Sequence, residues 1–143
     1  MLNQNNLRKC SLFGGLTEEQ IEKILPLMET EKYPPGTEII AEGNPNDRLR
    51  FILEGRVTVS KNEVLLMNFS EGDVFGEMEV LEIMPSAASI KTLSPVTVMC
   101  ISNHALHDIY KTDIQIFAMI IMNLARDLSR RLRRMNERAT QSS

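Results

Sequence analysis

The stretch Glu71-Gly72-Asp73-Val74-Phe75-Gly76-Glu77, continued by Pro85-Ser86-Ala87-Ala88-Ser89-Ile90, decides the fold. Gly72 and Gly76 permit a positive φ and let the backbone approach a ligand closely. Residues 78–83 can form a short helical turn whose free N–H groups face the resulting gap. The small side chains of residues 86–89 leave room on the facing strand. The stretch therefore predicts a ligand pocket; the alternative interpretation is a tight β-turn with small-residue packing.

The segments on both sides of this stretch, over about residues 32–102, have the pattern of short β-strands. Arg56-Val57-Thr58-Val59-Ser60 alternates, Lys61-Asn62 predicts a turn, and residues 63–69 return, as in a hairpin. Many short strands separated by Gly and Pro turns are typical of a small barrel or jelly roll. The predicted fold class is therefore mainly β with flanking helices.

Helical patterns lie before and after the strands. Thr17, followed three residues later by Gln20, predicts a capping box, and an N-terminal helix is expected over about residues 16–29. The first ten residues are expected to be loosely structured. Two helices are expected within about residues 104–138, the second capped by Asp113 and free of Gly and Pro. We expect residues 1–143 to form a single domain.

Together these motifs resemble the cyclic nucleotide-binding domain family, which includes catabolite-activator-type regulators, kinase regulatory subunits and gated channels. The resemblance covers about residues 13–138 and rests on Pro35-Gly36, Glu42-Gly43, Phe51-Ile52-Leu53-Glu54-Gly55 and Gly72-Asp73-Val74-Phe75-Gly76-Glu77. It implies an eight-stranded β-roll with a phosphate-binding cassette.

The resemblance also implies roles for single residues of the cassette. The family residue that matches Glu77 accepts a hydrogen bond from a ribose 2′-hydroxyl, and Ser89 would offer a hydroxyl to the phosphate. The candidate ligand-binding residues are Val74, Phe75, Gly76, Glu77, Met78, Ser86, Ala87, Ala88 and Ser89.

Two positions depart from the family's cassette. Ser86 stands where the family has its phosphate-binding arginine, and Glu79 stands where it has a small residue, usually alanine. Breaking a buried charge pair costs roughly 3–5 kcal/mol. The loss of the arginine should therefore weaken the binding of a cyclic phosphate very roughly a hundred- to a thousandfold. Lys91 is predicted to face the other side of its strand. Tight binding of cyclic AMP or cyclic GMP is therefore not expected. A different, uncharged ligand and a pocket kept only as scaffold are the alternatives, and no cofactor is predicted.

The last helix carries an apolar stripe with 3-4 spacing, interrupted by Arg131. Further apolar residues lie off the stripe in its first half, so two sides of the helix need to be covered. One side is expected to face the roll and the other a second copy of the chain, as in the family's catabolite-activator-type members. A single-chain core helix is the alternative. The residues predicted for dimerisation are Ile114, Phe117, Ile121, Leu124 and Leu128.

Charge is distributed unevenly along the chain. The net charge is −3, with +3 from Asp113 onward and −6 before it. We interpret the arginines at the end of the last helix as a solvated surface that complements the helix dipole; a surface for an acidic partner or nucleic acid is the alternative. Family regulators read DNA with a helix-turn-helix after this helix. Because only five residues follow Arg138, no direct DNA-binding module is expected.

Several other classes of protein are not expected. The polar start and the lack of a long apolar run favour a cytoplasmic protein without membrane association. Cys10 and Cys100 are expected to be reduced, with Cys100 in a buried strand. A cupin-type metal site would need ligands inside the roll, whereas His104 and His107 lie in the helical part. Without a nucleophile–base motif, no enzymatic activity is expected.

The expected function is therefore a stand-alone, ligand-responsive regulatory module. Its readout would be the dimer itself or a separate protein partner. The alternative is a structural or protein-interaction module whose pocket is vestigial.

Overall fold

The computed structural model describes residues 4–141. Eight strands form two four-stranded antiparallel sheets, with strand orders β1-β8-β3-β6 and β2-β7-β4-β5, so the prediction of a mainly β fold with flanking helices is confirmed. The strands are β1 Glu29–Tyr33, β2 Glu38–Ile40, β3 Arg48–Glu54, β4 Arg56–Lys61, β5 Val64–Ser70, β6 Val74–Phe75, β7 Ser89–Thr92 and β8 Val96–Ser102. The α-helices are α1 Gln4–Arg8, α2 Glu18–Ile24, α3 Glu77–Glu82, α4 Asn103–Thr112 and α5 Ile114–Gln141, with short 3-10 turns at Ser11–Phe13 and Leu25–Leu27.

The hairpin of β4 and β5 forms where the alternating sequence predicts it. Lys61 pairs with Val64, and the two residues between them, Asn62 and Glu63, both have a positive φ, of 51° and 65°. This backbone is that of a type I′ turn, whose twist matches that of paired strands, and Asn tolerates the left-handed conformation well. The hairpin forms one wall of the roll.

Two apolar clusters stabilise the fold. One lies inside the roll, between the sheets, and includes Ile52, Val57, Phe75 and Val98. The other lies between the β1-β8-β3-β6 sheet and the helices. The β1-β8-β3-β6 sheet therefore contributes residues to both clusters.

The N-terminal helix is shorter than predicted. The capping box is present, with the Gln20 N–H donating to Thr17 Oγ1 (3.2 Å) and the Thr17 N–H donating to Gln20 Oε1 (2.9 Å). The α-helix nevertheless ends at Ile24, because Pro26 lacks the N–H that would continue it. The chain continues as a 3-10 turn and enters β1 at Glu29, inside the segment expected to be helical.

The N-terminal segment is not loosely structured over its described part, which corrects that expectation; residues 1–3 lie outside the described residues. Helix α1 places Leu7 and Cys10 in the core, at 0% and 1% exposed. The side chain of Asn123 in α5 donates to the carbonyls of Leu12 and Gly14, both at 2.9 Å. These two hydrogen bonds hold the N-terminal segment against the long helix.

Helix α5 begins as predicted and extends three residues further than expected. The side chain of Asp113 accepts a hydrogen bond from the Ile116 N–H (3.2 Å), which caps the helix. In its first half, Ile116, Ile120 and Leu124 are completely or almost completely buried. Beyond Ala125 most side chains are exposed. The long helix is therefore firmly packed only over its first half.

Candidate functional site

A cavity of about 400 Å³ lies in the roll between the β4–β5 hairpin, the cassette and the second half of α5. Its size is within the usual range for small-molecule sites. Its walls are mostly apolar, and the residues that line it include Val59, Leu66, Met67, Phe69, Phe75, Ile90, Leu128, Leu132 and Met135. The titratable residues among those lining it are Lys61, Glu77, Glu79 and Arg131.

The Phe75-Gly76-Glu77 turn forms the floor of this cavity. Gly76 has a φ of 91°, and a Cβ built there would lie 2.5 Å from the carbonyl oxygen of Arg48. Only glycine meets both conditions without strain. The ring of Phe75 stacks on that of Phe69, with 6.4 Å between centroids. Gly76 thus lets the chain turn directly from β6 into α3 and places Glu77 inside the roll.

Glu77 is the buried acidic group of the site, only 4% exposed. Burial raises the pKa of its carboxyl above the ordinary value, and the nearby positive charge of Arg131 opposes that rise. Arg131 Nη1 donates to Glu77 Oε1 at 2.7 Å. The residue that the resemblance assigns to a ribose hydroxyl is therefore paired with a side chain of α5.

Arg131 is the residue of the candidate site that sequence reasoning missed. In the sequence it was interpreted only as a polar residue that interrupts the apolar stripe of the last helix. Its second terminal nitrogen donates to the carbonyl of Val74 (2.6 Å), and Asp127 Oδ2 lies 3.6 Å from it. Its guanidinium lies over the ring of Phe69, 4.7 Å from the centroid. An arginine on the apolar face of a helix needs a buried partner, and that was the available signal.

Glu79 points into the same cavity and is 8% exposed. Asn46 Nδ2 donates to Glu79 Oε1 at 3.3 Å and to the carbonyl of Gly76 at the same distance. Asn46 Oδ1 in turn accepts from Arg50 Nη1 (2.9 Å), whose Nε pairs with Glu31. A hydrogen-bonded network from β1 and β3 thus holds the second carboxylate of the cassette in place.

The hydroxyls of the cassette loop bond to the protein itself. Ser86 is 6% exposed, and its Oγ donates to the carbonyl of Ala88 at 2.6 Å. Ser89 Oγ accepts from the Glu42 N–H at 3.0 Å, and Ser89 is not among the residues lining the cavity. Ala87 and Ala88 line the cavity as small surfaces.

The remaining predicted site residues lie partly at the rim of the cavity and partly outside its lining. Val74 contributes its carbonyl to Arg131 and is not among the lining residues. Met78 lines the cavity but is 52% exposed, so it lies at the rim. Lys61, which sequence reasoning did not select, also lines the cavity and is exposed. Lys91 is exposed on β7 and is not among the lining residues.

Three of the five residues predicted for dimerisation are covered by the chain itself. Leu124 packs in the chain's own core, Phe117 packs against that core and against Tyr110, and Leu128 lines the cavity. The reason is that the roll and α4 cover the helix face on which these residues lie. Ile114 is 55% exposed and Ile121 is half-buried. The exposed apolar face of α5 consists of Ile114, Ala118, Ile121, Met122, Ala125, Leu132 and Met135.

Within residues 4–141, no group of three or more His, Cys, Asp or Glu has a geometry that could hold a metal ion. No helix within the same range is long and apolar enough to cross a membrane. Cys10 and Cys100 are both free and buried, Cys100 in β8 as predicted, and burial raises the pKa of Cys10 to about 12.

Known proteins share both the sequence pattern and the fold. The family profile described as cyclic nucleotide-binding domain matches residues 30–113. A cAMP-dependent protein kinase regulatory subunit from Hypocrea atroviridis is 32% identical over 71% of this chain and 22% of its own length. A CRP-like cAMP-activated global transcriptional regulator from Mycobacterium tuberculosis is 30% identical over 91% of this chain and 58% of its own length.

A solved structure extends the likeness to three dimensions. The crystal structure of a cyclic nucleotide-binding domain from Methylobacillus flagellatus KT superposes with a TM-score of 0.86 and 25% identity, covering 97% of this chain and 81% of that one. The chain spans less than two thirds of the length of the two curated relatives. The matched profile covers more than half of the chain, and the eight-stranded roll is common to both structures. The chain therefore belongs to the cyclic nucleotide-binding domain family.

Proposed function

We propose that this protein is a cytoplasmic, non-catalytic regulatory module in which a small molecule bound in the roll changes the position of the second half of α5. The observation that carries the proposal is the contact of Arg131 with Glu77 and with the carbonyl of Val74. This contact joins the floor of the cavity to the long helix. A ligand that takes Glu77 as a hydrogen-bond acceptor competes directly with Arg131.

The second half of α5 is suited to such a response because few contacts hold it. Between Ala125 and Thr140, only Asp127, Leu128 and Arg131 are half-buried, and the other side chains are exposed. Helix segments with few buried contacts open locally at low free-energy cost. A hydrogen bond to a charged group contributes roughly 1.5–3 kcal/mol. Losing the Arg131 contacts is therefore sufficient to shift the population of the docked helix end.

The readout we propose is a homodimer formed through the exposed apolar face of α5. Positions 118, 121, 125, 132 and 135 fit the 3-4 spacing of a two-helix seam, except that the intervening position 128 lines the cavity, and each of the five is small or apolar. An isologous contact of this face with itself would cover it with two-fold symmetry, as the resemblance to catabolite-activator-type regulators implies. The seam runs along the same helical turns that carry Leu128 and Arg131. A bound ligand and a partner copy of the chain would therefore both contact the second half of α5. A separate protein partner could read the same change.

Hydrogen exchange tests the coupling of cavity and helix without knowledge of the ligand. We expect Arg131→Ala to speed amide exchange over residues 126–138 by a larger factor than in β3 and β8. Arg133→Ala is the matched control, because Arg133 is exposed on the same turn. Equal exchange in the two variants would mean that Arg131 does not hold the helix end, and the proposal would fail.

A second candidate function is an interaction module whose pocket binds nothing. Ser86 in place of the family arginine and the occupation of Glu77 by Arg131 favour it. Mass spectrometry of small molecules released from the purified, denatured protein separates the two. A stoichiometric compound supports the sensor, and an empty cavity together with no melting shift across a ligand panel supports the interaction module.

A further inference from the structure

We infer that the cavity selects an uncharged ligand with hydroxyl donors and an apolar or aromatic body, such as a nucleoside, and discriminates against the corresponding cyclic phosphate. The inference rests on the proposed function, since it specifies the ligand class of the same cavity. It follows from three observations. The cassette contains no cationic residue, it contains the additional carboxylate of Glu79, and Arg131 of α5 is already paired with Glu77.

The cassette offers nothing positive to a phosphate. Residues 75–89 contain no Lys, Arg or His. The Ser86 N–H donates to the carbonyl of Asn44 (2.8 Å), and the Ser86 hydroxyl donates to Ala88, so neither is free to donate to a bound anion. A cyclic phosphate would give up its hydration there without gaining a charge-assisted hydrogen bond.

Glu79 makes the same place unfavourable for an anion. Its carboxylate is buried, lines the cavity and lies close enough to Glu77 to help raise the pKa of that residue. A like charge placed against a buried carboxylate is strongly disfavoured. A hydroxyl group, by contrast, can donate to either carboxylate, because an ionised carboxylate is purely an acceptor.

Arg131 does not replace the missing cation. Its two terminal nitrogens donate to Glu77 and to Val74, Asp127 lies near it, and one face rests on Phe69. An anion could recruit Arg131 only by separating it from Glu77, which would leave that carboxylate buried beside Glu79. A neutral hydroxyl that takes the place of Arg131 at Glu77 instead donates a hydrogen bond to that carboxylate and brings no second negative charge beside Glu79.

The rest of the cavity fits the body of such a ligand. Val59, Met67, Ile90 and Leu128 line the cavity with apolar surface, beside the two carboxylates. The cavity therefore combines a few polar groups with a larger apolar surface. A nucleoside combines the same two features, sugar hydroxyls and a flat aromatic base.

Calorimetry with matched pairs tests the inference. The probes are adenosine against cyclic AMP and guanosine against cyclic GMP, each titrated into the full chain at two ionic strengths. We expect at least one nucleoside to bind at least about tenfold more tightly than its cyclic phosphate, since a like-charge contact costs at least that much. Glu79→Gln should shrink this ratio, and Ser86→Arg combined with Glu79→Ala should reverse it.

Glu82→Gln is the matched control, because it removes the same charge from the same helix at an exposed position outside the cavity lining. It should leave the ratio unchanged. Equal or tighter binding of the cyclic phosphates to the wild-type chain overturns the inference and leaves the proposed function intact. No binding of any probe to protein that circular dichroism shows to be folded also overturns the inference, whereas the hydrogen-exchange comparison decides the proposed function separately.

Discussion

The two halves of α5 differ in what holds them to the body of the protein. The first half is held by apolar packing, with Ile116 and Ile120 fully buried and Asn123 bonded to the N-terminal segment. The second half is held by Leu128 and by the polar contacts of Arg131. The apolar packing of the first half lies away from the cavity residues, whereas the contacts of Arg131 include Glu77 of the cavity. One helix thus combines an apolar anchor with a segment attached to the cavity, which is the segment that we propose a ligand releases.

The largest expected effect comes from breaking the anchor. Ile120→Ala should lower the free energy of unfolding by roughly 2–5 kcal/mol, because it removes buried methylene groups and leaves a cavity. Urea denaturation followed by circular dichroism measures the loss. Met122→Ala, at a 52% exposed position two residues away, should change stability by no more than about 0.5 kcal/mol. Similar losses in both variants would contradict the assignment of the anchor to the buried face.

A smaller, pH-dependent effect is expected from breaking the polar attachment. Arg131→Ala should cost about 1–3 kcal/mol near neutral pH, because a buried carboxylate loses its charged partner. Burial already raises the pKa of Glu77 above its ordinary value, and removal of Arg131 should raise this pKa further. The folded state then holds the Glu77 proton more tightly than the unfolded state does, so stability is gained at low pH and lost as the pH rises through the folded pKa.

The measurement is the free energy of unfolding of both proteins on the acid side and on the alkaline side of neutrality, at about pH 5 and about pH 8. The loss caused by Arg131→Ala should be larger at the higher pH. Arg133→Ala provides the control and should show little loss at either pH. A loss from Arg131→Ala that is the same at both values would mean that Glu77 is not the group that Arg131 neutralises.

The smallest expected effect on stability comes from the exposed face of α5, where the effect on assembly should be large. Ala125→Glu places a charge in the middle of the proposed seam and should change the stability of a single chain by no more than about 0.5 kcal/mol. It should convert a dimer to monomers in analytical ultracentrifugation. Asn103→Glu is the control, because it adds the same charge at an exposed position of α4, outside the proposed seam. A dimer that persists in Ala125→Glu would exclude this face as the seam.

Much of the fold was predictable because the signals are local. Three of these signals each depend on a few neighbouring residues: the turns marked by glycine and proline, the alternation in β4 and the Thr17–Gln20 capping box. The structure contains the turns, the strand and the capping box that they predict. The short N-terminal helix α1 was missed because its stability comes from Leu7 and Cys10 packing into a distant core, which its own polar sequence does not reveal. The early end of α2 was missed although Pro26 marks it.

The candidate site was predictable only in part, for the same reason. The residues of the cassette that line the cavity lie within about a dozen positions of each other, so spacing located them. Periodicity did not reveal that the chain itself covers Phe117, Leu124 and Leu128, because it shows that a helix has an apolar face without showing which neighbour covers it.

The sequence by itself determined the succession of a helix, a β-roll and two C-terminal helices, the position of the cassette and the replacement of its arginine by Ser86, because each depends on residue identity at short range. Only the tertiary structure decided which cation pairs with Glu77. Arg131 lies 54 positions after Glu77, and the two side chains meet only in the folded chain. A pairing over that distance leaves no local signal in the sequence, since its energy comes from the burial that folding creates.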